Sequence, residues 1–284
     1  MIEPVLFFAI ASKGKDDELR AANALSQLTR EDETLRTRVD PDSGKMLVLG
    51  TGELHLDAIR RRLQRDFGVL SEFSPYEVFC RETIRTRLRE EAKYIREHDG
   101  RRQFAHCVLE LEPLATREGF EFISAVKQGE ISARHAAAVE KGAREALQNG
   151  LFSGYPIVGV RATLVGGSSC DGESDEMSFR IAGGMALRSG GKKADPVVLE
   201  PIMKCEVTVP EKYLDVVVGD LNGRRAKILE IAGTDLRHIK CTAPLSEMLG
   251  YAGAVLAITD NTATCAMNPS HFEEIGKNSP PGTV

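Results

Sequence analysis

The chain has 284 residues, of which 42% are hydrophobic and 28% charged, and its net charge is −5. That length suits two or three domains with their own cores, and the apolar fraction excludes disorder as the default state. The acidic balance excludes a histone-like nucleic-acid binder but not a local basic patch, and no apolar run reaches the roughly 18–20 residues that span a bilayer, so no membrane partner is expected.

Residues 4–11 (PVLFFAIA) predict a short buried strand, and the polar stretch SKGKDDE after them suits a helix start. From Asp16 to Arg30, Leu19, Ala22, Leu25 and Leu28 fall at three-residue steps and predict one helical face. Strands are expected near 34–39 and 45–49. Asp40-Pro41-Asp42-Ser43-Gly44 lies between them, where Pro fixes φ and Gly permits φ > 0. Gly50-Thr51-Gly52 leads into a second helix lined by Leu54, Ile59, Leu63 and Phe67, with Gly68 as its stop. A strand at 69–73 closes a β-α-β-β-α-β unit, the ferredoxin-like order. The same order recurs at the other end. A strand at 199–209 meets Pro210 and a helix from Glu211 to Leu221, then come strands near 226–232 and 236–243, a helix from about Ser246 and a strand near 261–267. The tail from Asn268 reads as frayed.

The middle, about 78–197, is different. Residues 85–102 hold seven basic and four acidic side chains, a local excess of +3 in an acidic chain. Strands near 103–112 and 120–126, a helix over 132–148, a strand at 156–165, a polar loop at 166–175 and a helix from Glu176 to about Arg188 make a separate α+β domain.

No catalytic constellation emerges. GxxxxGK[ST], HExxH, GxSxG and EF-hand patterns are absent. Gly50-Thr51-Gly52-Glu53 is glycine-rich but has no lysine after it, so a strand-to-helix turn explains it. Asp171, Glu173, Asp175 and Glu176 crowd one loop and read as solvated charge rather than a cation site. The six histidines do not pair at metal-ligand spacing; His55 reads as a packed helix residue, and His106 falls near the end of the basic run. The six cysteines are scattered without CxxC, which argues against a disulfide scaffold or zinc finger and points to a reducing cytosol or organelle matrix. Residues 1–18 have no basic start and make a poor signal peptide. Cys170 stands in an exposed loop with no histidine near it in sequence, and an inert thiol is the simpler reading. What remains is binding. Glu97–Gln103 (EHDGRRQ) joins two long strands and carries Arg101 and Arg102 beside Gly100, with Phe104 adjacent. Arg forks pair with phosphates and aromatic faces stack on bases. A solvated hairpin tip is the plain alternative.

Three stretches carry a resemblance. Gly52-Glu53-Leu54-His55-Leu56-Asp57 resembles the GELHL signature in domain III of translation elongation factor G. Leu199–Lys204 (LEPIMK) resembles the LLEPIMKVE strand opening its domain V, and Pro244–Ala252 (PLSEMLGYA) resembles PLSEMFGYA of that domain. Arg81-Glu82-Thr83-Ile84 resembles the entry to domain IV, and Ala138–Gly142 with Gly154-Tyr155-Pro156 resembles its PAVDKG…GYP core. The matches are ordered and cover nearly the whole chain. The resemblance implies an α+β fold: two ferredoxin-like βαββαβ domains, 1–77 (III) and 198–284 (V), flanking a central α+β domain of the ribosomal-protein domain-2-like type, 78–197 (IV).

It further implies a ribosome-binding region, without catalytic or metal residues of its own, that promotes translocation by inserting the domain IV tip beside tRNA and mRNA at the decoding centre. Ribosomal RNA, ribosomal proteins and the factor's own N-terminal GTPase domains are the implied partners. The chain is expected to be monomeric, in the bacterial cytoplasm or an organellar matrix, and to be a fragment or a factor whose GTPase half lies elsewhere. GTP and Mg would belong to that half, leaving no cofactor here. The tip maps to two loops. Where the family reads SGGRGQYG, the chain has His98-Asp99-Gly100-Arg101-Arg102-Gln103-Phe104-Ala105, with Asp99, Arg102 and Ala105 at glycine positions. Where it reads FGSYHDVDS, Ser168, Ser169, Cys170 and Asp171 follow Gly167, with Cys170 at the histidine position. Departures confined to the tip suggest a paralogue, so ribosome recycling or protection stands beside translocation. A protein-interaction scaffold and a stand-alone hydrolase using Cys170 or the acidic loop are the rivals from other classes.

Overall fold

The computed structural model describes residues 4–40, 43–98, 101–127 and 129–275. The chain divides into two compact units: the residues through Phe79 together with those from Glu200 onward, and Cys80–Leu199.

In the first unit, β1 (Leu6–Ala11), α1 (Lys15–Glu31), β2 (Arg36–Val39), β3 (Met46–Gly50), α2 (Glu53–Arg65) and β4 (Glu72–Phe73) follow in βαββαβ order, and their sheet runs β2-β3-β1-β4. A short β5 (Glu77–Val78) also pairs with β1. The helices turn differently from the expected stripes. Leu19 is 63% and Leu54 85% exposed, while α1 buries Asp17, Ala21, Ala24, Leu25 and Leu28, and α2 buries Leu56, Ile59 and Leu63. Leu54 stands two residues before Leu56, about 200° around the helix, so both cannot face the sheet. Asp17 is tolerated inside because the Leu70 N–H (2.8 Å) and the Ser71 hydroxyl donate to its carboxylate. Gly68, at φ +62°, ends the α2 region as expected, with the Val69 N–H returning to the Leu63 carbonyl at 2.9 Å.

The second unit holds β6 (Arg81–Ile84), β7 (Leu88–His98), β8 (Arg101–Pro113), β9 (Phe120–Ser124), α3 (Ala133–Leu147), β10 (Val160–Ser168) and α4 (Glu176–Lys193). Its sheet runs β7-β8-β10-β9, antiparallel except for the β9–β10 pair, whose crossover is α3. The helices lie close: a Cβ on Gly142 would stand 1.8 Å from the Arg180 carbonyl oxygen, and one on Gly183 2.5 Å from that of Val139. The α4 helix runs five residues beyond the expected Arg188. Gly190 and Gly191 sit inside it, against Leu111 and Leu151, so the pair makes packing room there.

A long strand, β11 (Pro196–Pro210), pairs through Pro196–Leu199 with β6 in the second unit, and through Ile202–Pro210 with the C-terminal sheet of the first. After it come α5 (Leu214–Gly223), β12 (Lys227–Ala232), β13 (Leu236–Pro244), α6 (Leu245–Met248), α7 (Tyr251–Ile258) and β14 (Thr264–Glu274), with strand order β12-β13-β11-β14. This is the N-terminal order repeated. The helix expected at Glu211 opens as a 3-10 turn, Glu211–Tyr213. The one expected from Ser246 is two, parted at Gly250 (φ +70°). The tail is not frayed as far as Glu274; β14 continues, with Pro269 on an edge strand where no ladder donor is needed. Residues 276–284 lie outside the described ones. Within the first unit, the Glu53 carboxylate at the start of α2 accepts the Gly250 N–H at 3.0 and 3.2 Å, linking the two βαββαβ halves. Among the described residues no helix is long and apolar enough to cross a membrane.

Candidate nucleic-acid interface

The central hairpin sets the stage. β7 and β8 pair in unbroken register from Leu88↔Leu111 to His98↔Arg101, about 35 Å of ladder. β10 pairs with β8 only as far as Ser168↔His106, so residues 101–105 overhang the third strand. The segment after Ser168 covers this overhang. The Phe104 N–H donates to the Glu173 carbonyl at 2.9 Å, and the Ser174 hydroxyl donates to the Phe104 carbonyl at 2.7 Å. The two sequence-predicted loops thus form one surface at the same end of the sheet.

Of the predicted residues in the first loop, His98 closes β7 and Arg101 opens β8. Asp99, Gly100 and the side chains of His98 and Arg101 lie outside the described residues. Arg102 is 54% exposed with its Nε 3.7 Å from the Glu173 carboxylate. Gln103 Nε2 donates to Asp175 at 3.3 Å. In the second loop, Ser168 Oγ lies 3.0 Å from His106 Nδ1, and His106 Nε2 stands 3.1 Å from Glu91, so this imidazole ties β7, β8 and β10 together. Ser169, Cys170 and Asp171 are exposed. Cys170 is held by its backbone: its N–H donates to Ser174 Oγ at 2.9 Å, and its carbonyl accepts from Glu173 (3.1 Å) and Ser174 (3.0 Å). Ser174, the stitch between the loops, was not among the predicted site residues. Its only sequence signal is position, one residue before the Asp175-x-x-Ser178 cap of α4.

The acidic loop does not converge. Glu173 meets Arg102, Glu176 meets Arg134 at 2.9 Å, and Asp175 caps α4, accepting from the Ser178 N–H (2.7 Å) and hydroxyl (2.6 Å). Those Ser178 hydrogen bonds, against some burial, hold the Asp175 carboxyl below the usual carboxylate range. Among the described residues no group of three or more His, Cys, Asp or Glu could hold a metal ion. Behind the loop, His135 stacks on Phe179 with ring centroids 4.4 Å apart, and burial, helped by Arg134, lowers its pKa. The charge balance is sober. By sequence, 96–104 and 168–175 together carry three arginines and five carboxylates, so the tip is not a basic patch.

Elsewhere, Gly50–Glu53 is the turn from β3 to α2. The Thr51 N–H donates to His55 Nδ1 at 3.2 Å, and His55 Nε2 stands 3.0 Å from Asp32, so this imidazole is structural. A second built feature, missed in the sequence, is Glu82: its fully buried carboxylate accepts the N–H groups of Leu151, Phe152, Ser153 and Tyr155 and fixes the loop after α3.

Two βαββαβ halves with a four-stranded α+β unit between them in sequence are the arrangement implied by the resemblance to the C-terminal domains of a translation elongation factor. Models of three consecutive parts of one family match in the same order: elongation factor G domain III at residues 1–75, domain IV at 76–195 and the elongation factor G C-terminus at 197–281. The chain belongs to the elongation factor G family. It is 44% identical over 275 residues to elongation factor G of Fervidobacterium nodosum, covering 96% of this chain and 40% of that relative, so it spans well under half the relative's length. A crystal structure of a Thermus thermophilus protein superposes with a TM-score of 0.76 at 33% identity, over 97% of this chain and 41% of that one.

Proposed function

We propose that this chain is the ribosome-binding region of an elongation-factor-G-like translational GTPase, with domains at 1–77, 78–197 and 198–284, and that the end of its central unit enters the small-subunit decoding centre beside tRNA and mRNA to promote translocation. GTP and Mg belong to the N-terminal part of the longer protein, whose hydrolysis makes a conformational equilibrium directional. The chain acts as a monomer in a bacterial cytoplasm or organellar matrix. Arg101 and Arg102 contact RNA, with His98, Asp99, Gly100, Gln103, Ser168, Ser169, Cys170 and Asp171 around them.

The observation that carries the reading is the joining of the two loops into one exposed surface through Phe104, Glu173 and Ser174. Cys170 at the family's histidine position removes an imidazole from that surface, and this favours, as second reading, a paralogue working in recycling or protection. The test is co-sedimentation with 70S ribosomes at ~50 and ~200 mM salt, with an Arg101→Glu/Arg102→Glu double variant alongside. Two phosphate contacts give a log–log salt slope of about −2, a loss of roughly tenfold across that range. Loss of this dependence in the double variant supports the reading. Ribosome binding equal in variant and wild type removes the tip from it.

A further inference from the structure

Cys205 on β11 and Cys241 on β13 are direct partners in the antiparallel ladder of the C-terminal sheet, each 1% exposed. All six cysteines of the chain are free thiols. Opposed residues of an antiparallel pair have Cα atoms about 4.5 or 5.5 Å apart, according to pair type. Both spacings fall inside the roughly 4.4–6.8 Å window of a disulfide, and closing this pair asks for side-chain rotation with a small approach of the Cβ atoms, from about 4.5–5.5 Å in a ladder to about 3.5–4.5 Å in a disulfide. The Cys205 thiol donates to the Met203 carbonyl at 3.8 Å. The neighbouring Cys241 sulfur, then burial, pushes the Cys205 thiol up, and the closeness of Cys205 pulls Cys241 down. Cys265 on β14 lies across β11 from Cys241 in the strand order, and burial raises it to about 11. Cys241 has Cys205, not Cys265, as its direct ladder partner.

We propose that Cys205 and Cys241 are a reversible redox site, closed to a cross-strand disulfide by a small-molecule disulfide such as oxidised glutathione. The Cys241 thiolate attacks one sulfur of the oxidant, forming a mixed disulfide and expelling one glutathione thiolate. Cys205 then gives up its proton and attacks the Cys241 sulfur, expelling the second. Two protein thiols lose two electrons and two protons, and one glutathione disulfide becomes two glutathione thiols. Because both sulfurs are buried, attack waits for local opening of the sheet, so closure is slow in the folded chain and faster under mild denaturant. The bond would staple β11 to its neighbour β13.

The test uses the whole chain, equilibrated with oxidised and reduced glutathione at several ratios. Free thiols are then trapped with a maleimide in denaturant and the peptides mapped by mass spectrometry. The expected product is a Cys205–Cys241 peptide pair, about 2 Da lighter than the two thiol peptides and restored by reductant. It should also form in Cys265→Ala. The wild-type map decides even where a cysteine variant fails to fold. A link through Cys265, or glutathione on Cys170 alone with Cys205 and Cys241 both carrying maleimide, overturns the proposal.

Discussion

Replacing Glu82 by glutamine tests whether one buried carboxylate organises the central unit. Glu82 lies on β6, and its oxygens split four donors: Oε2 takes the Leu151 and Phe152 N–H groups, and Oε1 takes Ser153 (2.8 Å) and Tyr155 (3.2 Å). There is no slack around it, since a Cβ on Gly150 would come within 2.7 Å of Oε1. Glutamine keeps the shape but turns one end into a donor, so two backbone N–H groups would face an amide N–H₂ and lose their acceptor. Each buried donor left unmade costs about 1–3 kcal/mol, and breaking such a charge-assisted set about 3–5 kcal/mol. For a unit of this size 1 kcal/mol moves the melting temperature by about 4 °C, so a fall of roughly 12–20 °C is expected. The chain has no Trp, so calorimetry is the suitable assay. The transition assigned to the central unit should move while that of the other unit stays. A fall of less than about 3 °C for Glu82→Gln would refute the reasoning.

Other perturbations have definite signs. Gly142→Ala drives a methyl into the Arg180 carbonyl of the facing helix and should cost about 3 kcal/mol, read as a lower urea midpoint at unchanged m-value. A neutral result contradicts the close approach of α3 and α4. The His135 pKa is lowered in the folded chain, chiefly by burial. Its contribution to stability is therefore complete above the ordinary histidine value and is lost as pH falls through the lowered one. His135→Phe should flatten the stability profile below the ordinary histidine value, and an unchanged slope there counts against it. Asp175 is likewise held down by Ser178, so its capping contribution is full above the ordinary aspartate value and disappears at still lower pH. Asp175→Ala should lose about 1 kcal/mol at neutral pH and match the wild type in strong acid. Glu173→Gln removes the carboxylate beside Arg102, so affinity for ribosomes should rise and the salt slope steepen by up to about one. Weaker binding would show that Glu173 positions the loop more than it shields the arginine.

How much of this was legible follows from the kind of signal each element carries. Order and type of elements came through, because alternation in strands and turn chemistry such as that at Gly68 are local. Helix facing did not: in α1 the buried stripe is built on Ala21 and Ala24, which three-residue steps counted from the exposed Leu19 pass over in favour of Ala22. The end of α4 was misplaced because Gly190 and Gly191 carry opposite meanings at a surface stop and at a packed helix contact, and only the neighbours Leu111 and Leu151 decide between them. At the candidate site, the sequence placed both loops through family resemblance, but not the hydrogen bonds of Ser174 and Glu173 to Phe104, which span about 70 residues. Nor did it show that Glu173 of the second loop stands beside Arg102 of the first, which offsets part of the basic run. The Glu82 cradle was hidden for the same reason, since its donors come from a loop far along the chain.

The central claim, that this end of the central unit meets RNA in the decoding region, has a direct test in Cys170. It is the exposed thiol among the described cysteines, with Cys80, Cys107, Cys205 and Cys241 buried and Cys265 intermediate. An iron chelate tethered to Cys170 generates hydroxyl radicals that cut RNA close by. On 70S ribosomes the account predicts cuts in small-subunit RNA at the decoding centre, absent from a Cys170→Ser control. Cuts confined to large-subunit RNA, or a pattern equal to the control on ribosomes that carry the protein, would contradict it.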